Sequence, residues 1–318
     1  MPALSRRSFL GAASLPLLAG ARPGGAPAGG ESSELAADLV VVGGGFGGCA
    51  AALAACRAGL DVVMTEETDW IGGQVTSQAV PPDEHPWIES FGCTRSYREY
   101  RERVRAYYRD HYPLTAAARA DPRLNPGGGA VSRLCHEPRV SLAVLGGMLA
   151  PFASGGRLRI LTGHVPIAAD VDGDRVRAVT VEGPTGRLAL AAPFFADATE
   201  LGDLLPLAGV EHVTGAESRR ETGEESASDE ARPGVQQAFT CCFAVDHVPG
   251  EDHTISRPAE YGFWRDYVPD LRPPSPGRLL SWRMTHPITL APRELAVNPV
   301  GPVDEGLNLF EYRPIAYP

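Results

Sequence analysis

Three glycines in one short run carry the clearest chemistry in this sequence. Gly43, Gly45 and Gly48 form G-x-G-x-x-G directly after the apolar residues Leu39, Val40, Val41 and Val42. The first glycine permits a tight turn, the second lets backbone approach a pyrophosphate, and the third lets a helix pack closely on a strand. Phe46 and Gly47 lie between the second and third of these glycines, where the first amides of a helix and its dipole favour an anion. Glu66 lies 23 positions beyond Gly43. A carboxylate at that distance accepts hydrogen bonds from a ribose 2′- and 3′-hydroxyl and repels a 2′-phosphate, which disfavours NADP. The spacing alone leaves NAD and FAD open.

Those residues need particular elements around them. The run 39–42 reads as a strand buried on both faces. An Ala-rich helix over 47–58 follows, closed by Gly59, and a second strand over 60–64 leads to Glu66. Gly72 and Gly73 then allow backbone to approach a flat ligand, with Gln74 beside them. Residues 95–112, rich in Arg, Glu and Tyr, read as a mostly solvated helix with i, i+4 pairs such as Glu99 and Arg103. A Pro/Gly loop covers 121–130, and a helix over 139–151 follows Glu137 and Pro138. Strands are predicted at 157–162, 165–171 and 176–181, joined through an Asp-Gly turn signal at 172–174. A strand over 193–199 runs into a helix that starts at Glu200 and ends near Gly209. The charged stretch 217–232 reads as a mobile surface loop. Beyond residue 257 the chain is Pro-rich and no fold is legible.

Composition narrows the chemistry further. The formal charge is −10, from 29 basic and 39 acidic residues, and every basic residue is arginine. Without lysine there is no Walker-type phosphate loop, no Schiff base and no PLP enzyme. An acidic chain with no basic stripe argues against nucleic-acid partners, leaving a small molecule as the expected substrate. The six cysteines show no C-x-x-C spacing, and Cys241-Cys242 falls in a strand-like run over 238–245. The histidines form no H-x-x-x-H or H-E-x-x-H pattern, so no metal is expected. Ser5, Arg6, Arg7, Ser8, Phe9 and Leu10 form a twin-arginine pattern before a short apolar stretch and small-residue cleavage sites. This predicts a Tat-type signal and linker over 1–28, passage through the Tat translocase, and export of an already folded protein. No segment is long and apolar enough to span a bilayer.

A base would assist proton removal from a substrate. The candidates are His85, in a Pro-flanked loop, His136, just before a helix, and Tyr97, with Arg95 as an anion clamp. Cys93 lacks a partner at disulfide-reductase spacing, which argues against that branch of chemistry.

The segment 38–48 with Glu66, the run Trp70-Ile71-Gly72-Gly73-Gln74-Val75-Thr76, the turn Cys135-His136-Glu137-Pro138 and the run 195–204 together resemble bacterial FAD-dependent oxidoreductases of the glutathione-reductase-like Rossmann superfamily. The resemblance implies an α/β fold, with a Rossmann-type FAD-binding parallel sheet and an inserted β-rich or mixed substrate-side region. It divides the chain into an FAD-binding domain split between 34–95 and 150–210, a helical insertion over 96–149, and a partial substrate-side region over 211–318. It implies that Gly43, Gly45 and Gly48 hold the FAD pyrophosphate and that Glu66 binds the adenosine ribose. Gly72, Gly73 and Gln74 then lie along the flavin, and Val165 meets adenine through its backbone. Ala198 and Thr199 sit beside the cofactor, where Glu200 replaces the family's glycine. The family's C-terminal segment that closes over the flavin is not legible, so a shortened family member is expected. The implied reaction is two-electron or hydride transfer from an organic substrate to FAD. An NAD-binding dehydrogenase and a non-catalytic FAD-binding remnant are the alternatives.

Overall fold

A computed structural model describes residues 33–129, 132–236, 250–270, 274–279, 283–285 and 289–294. The predicted signal over 1–28 and the Cys241-Cys242 run lie outside these residues. The architecture is α/β, with two four-stranded sheets.

The first sheet is wholly parallel. It contains β2 (Leu39–Val42), β3 (Val62–Glu66), β4 (Leu158–Thr162) and β8 (Phe194–Asp197), in the order β4-β3-β2-β8. Neighbouring side chains of β2 and β3 face opposite ways, as the strand's period of two requires. Val41 and Met64 pack into one apolar cluster with α1 (Phe46–Arg57), α2 (Arg95–His111) and α4 (Pro138–Ser154). Val40, Val42 and Val63 pack on the other face, against Val179, Val181 and Leu190. The last three belong to the mixed sheet, β1 (Ser33–Ala36), β5 (Val165–Asp172), β6 (Arg175–Gly183) and β7 (Gly186–Ala191), in the order β1-β7-β6-β5. The result is three layers: helices, parallel sheet, mixed sheet. Each buried Val or Met side chain contributes about 1.5–3 kcal/mol through burial.

Two hairpins join the mixed strands. Asp172 pairs with Arg175, so Gly173 and Asp174 form a two-residue loop, and Gly173 takes a φ of +58°. Gly183 pairs with Gly186 across Pro184 and Thr185.

Four elements depart from the sequence expectation. Helix α2 is not mostly solvated: Tyr100, Arg101, Val104, Arg105 and Tyr108 are buried. Tyr100, Val104 and Tyr108 recur every fourth residue and form an apolar stripe against α4. Helix α4 runs through Pro151 to Ser154 rather than stopping at the proline. Pro151 lies in the last turn, where its missing N–H removes a single backbone bond. The helix expected from Glu200 begins only at Leu204 (α5, Leu204–Leu207), because Gly202 bends the chain with a φ of +72°. The stretch 217–232 is also more ordered than expected. It holds α6 (Arg219–Thr222), opened by a reciprocal capping box between Ser218 and Glu221. Bridges between Ala216 and Arg232 and between Ser218 and Ser228 close its ends. Further elements are a 3₁₀ turn over Gly73–Val75, α3 (Ala116–Ala120), α7 (Tyr261–Asp266) and the short antiparallel pair β9 (Arg283–Thr285) and β10 (Pro292–Glu294).

Candidate functional site

Three turns meet at the C-terminal ends of β2, β3 and β8. Gly43 has a φ of +101°. A β-carbon there would overlap the backbone of Ala198, and one at Gly48 would overlap the carbonyl of Gly43. Only glycine lets the turn after β2 lie this close to the turn after β8 and to its own helix. Ala198 N donates to Val42 O at 2.7 Å, and Gly43 N donates to Thr65 Oγ1 at 3.1 Å. The third turn is tied in by Gly72 N, which donates to Gly44 O at 2.8 Å. Asp197 sets the turn after β8. Its Oδ1 accepts from Thr199 N at 3.0 Å and Thr199 Oγ1 at 2.7 Å, and its Oδ2 accepts from Leu204 N at 3.0 Å.

Between these turns lies a crevice of about 200 Å³, whose walls include Gly43, Gly45, Glu66, Gly73, Ala198 and Thr199. This is the edge of a parallel sheet beyond its strand ends, where open α/β sheets bind ligands. Glu66 is buried and faces the crevice from the end of β3. Its Oε1 accepts from Thr68 N at 2.8 Å and Thr68 Oγ1 at 2.7 Å. Glu67, Glu200 and Asp203 add three more carboxylates to the wall. Burial raises the pKa of Glu67, and the charges of Glu66, Asp203 and Glu200 raise it further. The one ionisable nitrogen on the wall is in His164, whose Nδ1 donates to Thr162 O at 2.7 Å. Cys49, on the first turn of α1, is buried. Burial first, and the charge of Glu66 second, push its pKa up to about 12, and its thiol donates to Gly44 O.

The other sequence candidates fall in different places. Gly47 faces open space. Phe46 packs edge-on against Tyr97 and Tyr100, with centroids 5.8 and 5.0 Å away. Gln74 Nε2 donates to Pro81 O at 3.1 Å and Asp83 Oδ2 at 3.3 Å, so its side chain holds the next loop. Val165 is exposed at the start of β5, while its neighbours His164 and Pro166 line the crevice. His85 stacks loosely on Trp87 and Phe91 in the 81–92 loop, away from the crevice wall. Arg95 is exposed at the first residue of α2. Tyr97 donates to Glu84, and burial followed by that bond raises its pKa, so it stays protonated. His136 is a core residue. Its Nδ1 donates to Leu134 O at 2.7 Å, and its Nε2 meets Tyr100 and Ser141. Burial pulls its pKa down to about 4. None of these four candidate residues lines the crevice.

The crevice residues missed from sequence include Thr65, Glu67, Thr68, His164 and Asp203. Asp203 lies in the segment after Thr199, and its backbone N–H donates to Thr199 Oγ1 at 2.8 Å. A larger, open cavity of about 680 Å³ lies against α7, lined by Tyr261, Trp264, Arg265 and Arg278. It has no strand ends or glycine turn. Among the described residues, no group of three or more His, Cys, Asp or Glu could hold a metal ion, and no helix is long and apolar enough to cross a membrane.

The chain matches the FAD dependent oxidoreductase family over residues 38–301, and it belongs to that family. No curated protein matches it. Among solved structures it is similar to an L-proline dehydrogenase from P. horikoshii, at 16% identity and a TM-score of 0.30, over 53% of this chain and 23% of that one. It is similar to CabE, an aromatic hydroxylase from angucycline biosynthesis, at 22% identity and a TM-score of 0.34, over 57% of this chain and 35% of that one. A 3-ketosteroid-Δ4-(5α)-dehydrogenase from Rhodococcus jostii RHA1 matches at 16% identity and a TM-score of 0.29, over 50% of this chain and 44% of that one. The chain therefore spans less than half the length of each of these solved chains.

The residues of the crevice suit the family's cofactor in kind. Gly43 and Gly48 are glycines that a β-carbon would jam, Gly45 opens the start of α1, and Glu66 faces the crevice at the end of β3. It departs from that cofactor in one respect. A β-carbon on Gly45 would meet Glu200 Oε1 at 3.0 Å, and one on Gly73 would meet the same oxygen at 2.6 Å.

Proposed function

We propose that this crevice holds the pyrophosphate and adenosine ribose of FAD, and that the protein oxidises a small organic substrate by two-electron transfer. The observation that carries the reading is the glycine turn between β2 and α1, closed against Ala198 and facing Glu66 across the crevice. When bound, FAD supplies the hydride-accepting chemistry. The protein's residues bind and orient it. Backbone N–H groups at the start of α1 face the phosphates, and Glu66 accepts from the ribose hydroxyls. Thr68, donating to Glu66 Oε1, fixes that carboxylate's direction and leaves Oε2 free to accept. His136, held neutral in the core, supports packing rather than proton transfer to substrate.

Titration of the purified protein with FAD, followed by quenching of flavin fluorescence, tests the reading. Saturable binding with a 1:1 end point, resisted by excess NAD, is expected. Binding of NAD in preference to FAD would overturn it. The twin-arginine motif Arg6-Arg7 supports export, which we propose proceeds through the Tat translocase. Replacing both arginines with lysine should retain a tagged protein in the cytoplasm.

A further inference from the structure

We infer that Glu200 is an internal competitor for the phosphate seat, and that its carboxylate must swing away before FAD can bind. This inference presupposes FAD at the crevice and concerns how that crevice is regulated.

The position of the carboxylate is the first argument. Its Oε1 lies in the gap between Gly45, the N-cap of α1, and Gly73 on the facing turn. A β-carbon on Gly73 would also meet Gly45 Cα at 3.1 Å, so the two glycines wall one narrow slot. That slot opens on the start of a twelve-residue helix with no side-chain cap. Partial positive charge there attracts an anion. The carboxylate of Glu200 stands at that position.

The second argument is charge. Glu66, Glu67 and Asp203 already stand around the slot, and their combined field is visible at Glu67, whose pKa is raised by burial first and then by Glu66, Asp203 and Glu200. A pyrophosphate placed beside Glu200 would meet like charge at close range. Removing one carboxylate lowers that repulsion directly.

The third argument is freedom to move. Glu200 is exposed, and no hydrogen bond or ion pair ties its carboxylate to another described residue. The backbone before it is fixed, because Asp197 holds Thr199 through both N–H and hydroxyl. A side-chain rotation therefore clears the slot without disturbing the turn.

The test compares the full-length protein with Glu200→Gln, Glu200→Gly and Asp203→Asn. Dissociation constants for FAD and for ADP-ribose, which carries the pyrophosphate without the flavin, are measured by calorimetry, with thermal melts to confirm folding. Glu200→Gln and Glu200→Gly should each tighten both ligands by about twofold to fivefold, on the scale of a like-charge contact near the surface. Asp203→Asn, which removes one charge without emptying the slot, should tighten them less. Unchanged or weaker binding in the Glu200 variants would overturn the inference while leaving FAD binding intact. Equal gains from Glu200→Gln and Asp203→Asn would reduce it to bulk charge. Failure of every variant to bind FAD at millimolar concentration would sink the FAD reading and this inference together.

Discussion

Two groups of carboxylates, one beneath α2 and one around the glycine turn, show opposite ways of keeping negative charge in a fold. Glu84 and Glu89 lie on the loop before α2 and face Arg101 and Arg105. Arg101 bridges both acids, and Arg105 Nη2 meets Glu89 Oε1 at 2.6 Å. Arg101 is buried, and although burial favours its neutral form, Glu84 and Glu89 together hold it charged. Burial likewise raises the pKa of Glu89, but Arg105 and Arg101 bring it below the ordinary value. Each charge taken out of water here has a partner. Around the crevice, Glu66, Glu67, Glu200 and Asp203 face glycine backbone and one histidine. The contrast separates charges that hold the chain together from charges positioned for a ligand.

Breaking the first group should have the largest effect. Arg101→Ala leaves the buried Glu84 carboxylate beside a cavity without its cation, and leaves Glu89 with Arg105 alone. Removing one partner of a buried ion pair costs about 3–5 kcal/mol. Urea denaturation should show that loss, with FAD binding falling only as far as unfolding requires. Adding Glu84→Gln should recover part of it. Normal stability in Arg101→Ala would erase the distinction between the two groups.

The next effect comes from the histidine behind this layer. Burial, reinforced by the charge of Arg101, lowers His136 from 6.5 to about 4. Between those values the unfolded chain binds the proton and the folded one does not. The contribution is therefore fully present above pH 6.5 and is lost as pH falls towards 4, by about 3 kcal/mol at most. Chemical denaturation from pH 7.5 to 4.5 should show this slope, and His136→Gln should flatten it.

At the crevice a charge change should move affinity instead of stability. Glu66→Gln keeps the side chain's shape and removes its strongest acceptor. FAD should bind about tenfold to a hundredfold more weakly, the scale of a hydrogen bond to a charged group. The melting temperature should stay nearly constant. A large drop in melting temperature with unchanged affinity would place Glu66 with the structural acids.

This division was only partly legible in the sequence. The crevice backbone was readable because each requirement leaves a mark: an unbroken apolar strand, glycines at fixed spacing, an acid at the end of the next strand. The α2 layer was not, because arginine and glutamate at helical spacing look the same whether they face water or each other. The acids that pair with Arg101 lie in the irregular 81–89 loop, where no periodicity points inward. Glu200 was visible as a departure from the family's glycine, but the turn that carries it is set by hydrogen bonds that Asp197 accepts from Thr199 and Leu204, which sequence does not show. The Ser218–Glu221 capping box did leave a mark, S-x-x-E, inside a stretch whose high charge suggested disorder.

The smallest expected effect tests whether burial alone sorts these charges. Arg57, in the last turn of α1, meets Glu99 on α2 at 2.9 Å, and both side chains are about a third exposed, at 35% and 31%. The hydrogen bond from Arg57 is the main cause holding the Glu99 pKa below its ordinary value. The pair links α1 to α2 and does so in water, whereas Arg101 ties α2 to the 81–89 loop. Solvent screens the attraction, and ordering two long side chains offsets much of what remains. A double-mutant cycle with Arg57→Ala and Glu99→Ala should therefore give a coupling of about 0.5 kcal/mol or less, fading in high salt. A coupling as large as that of Arg101 would mean that removal from water does not set the value of a charge in this fold.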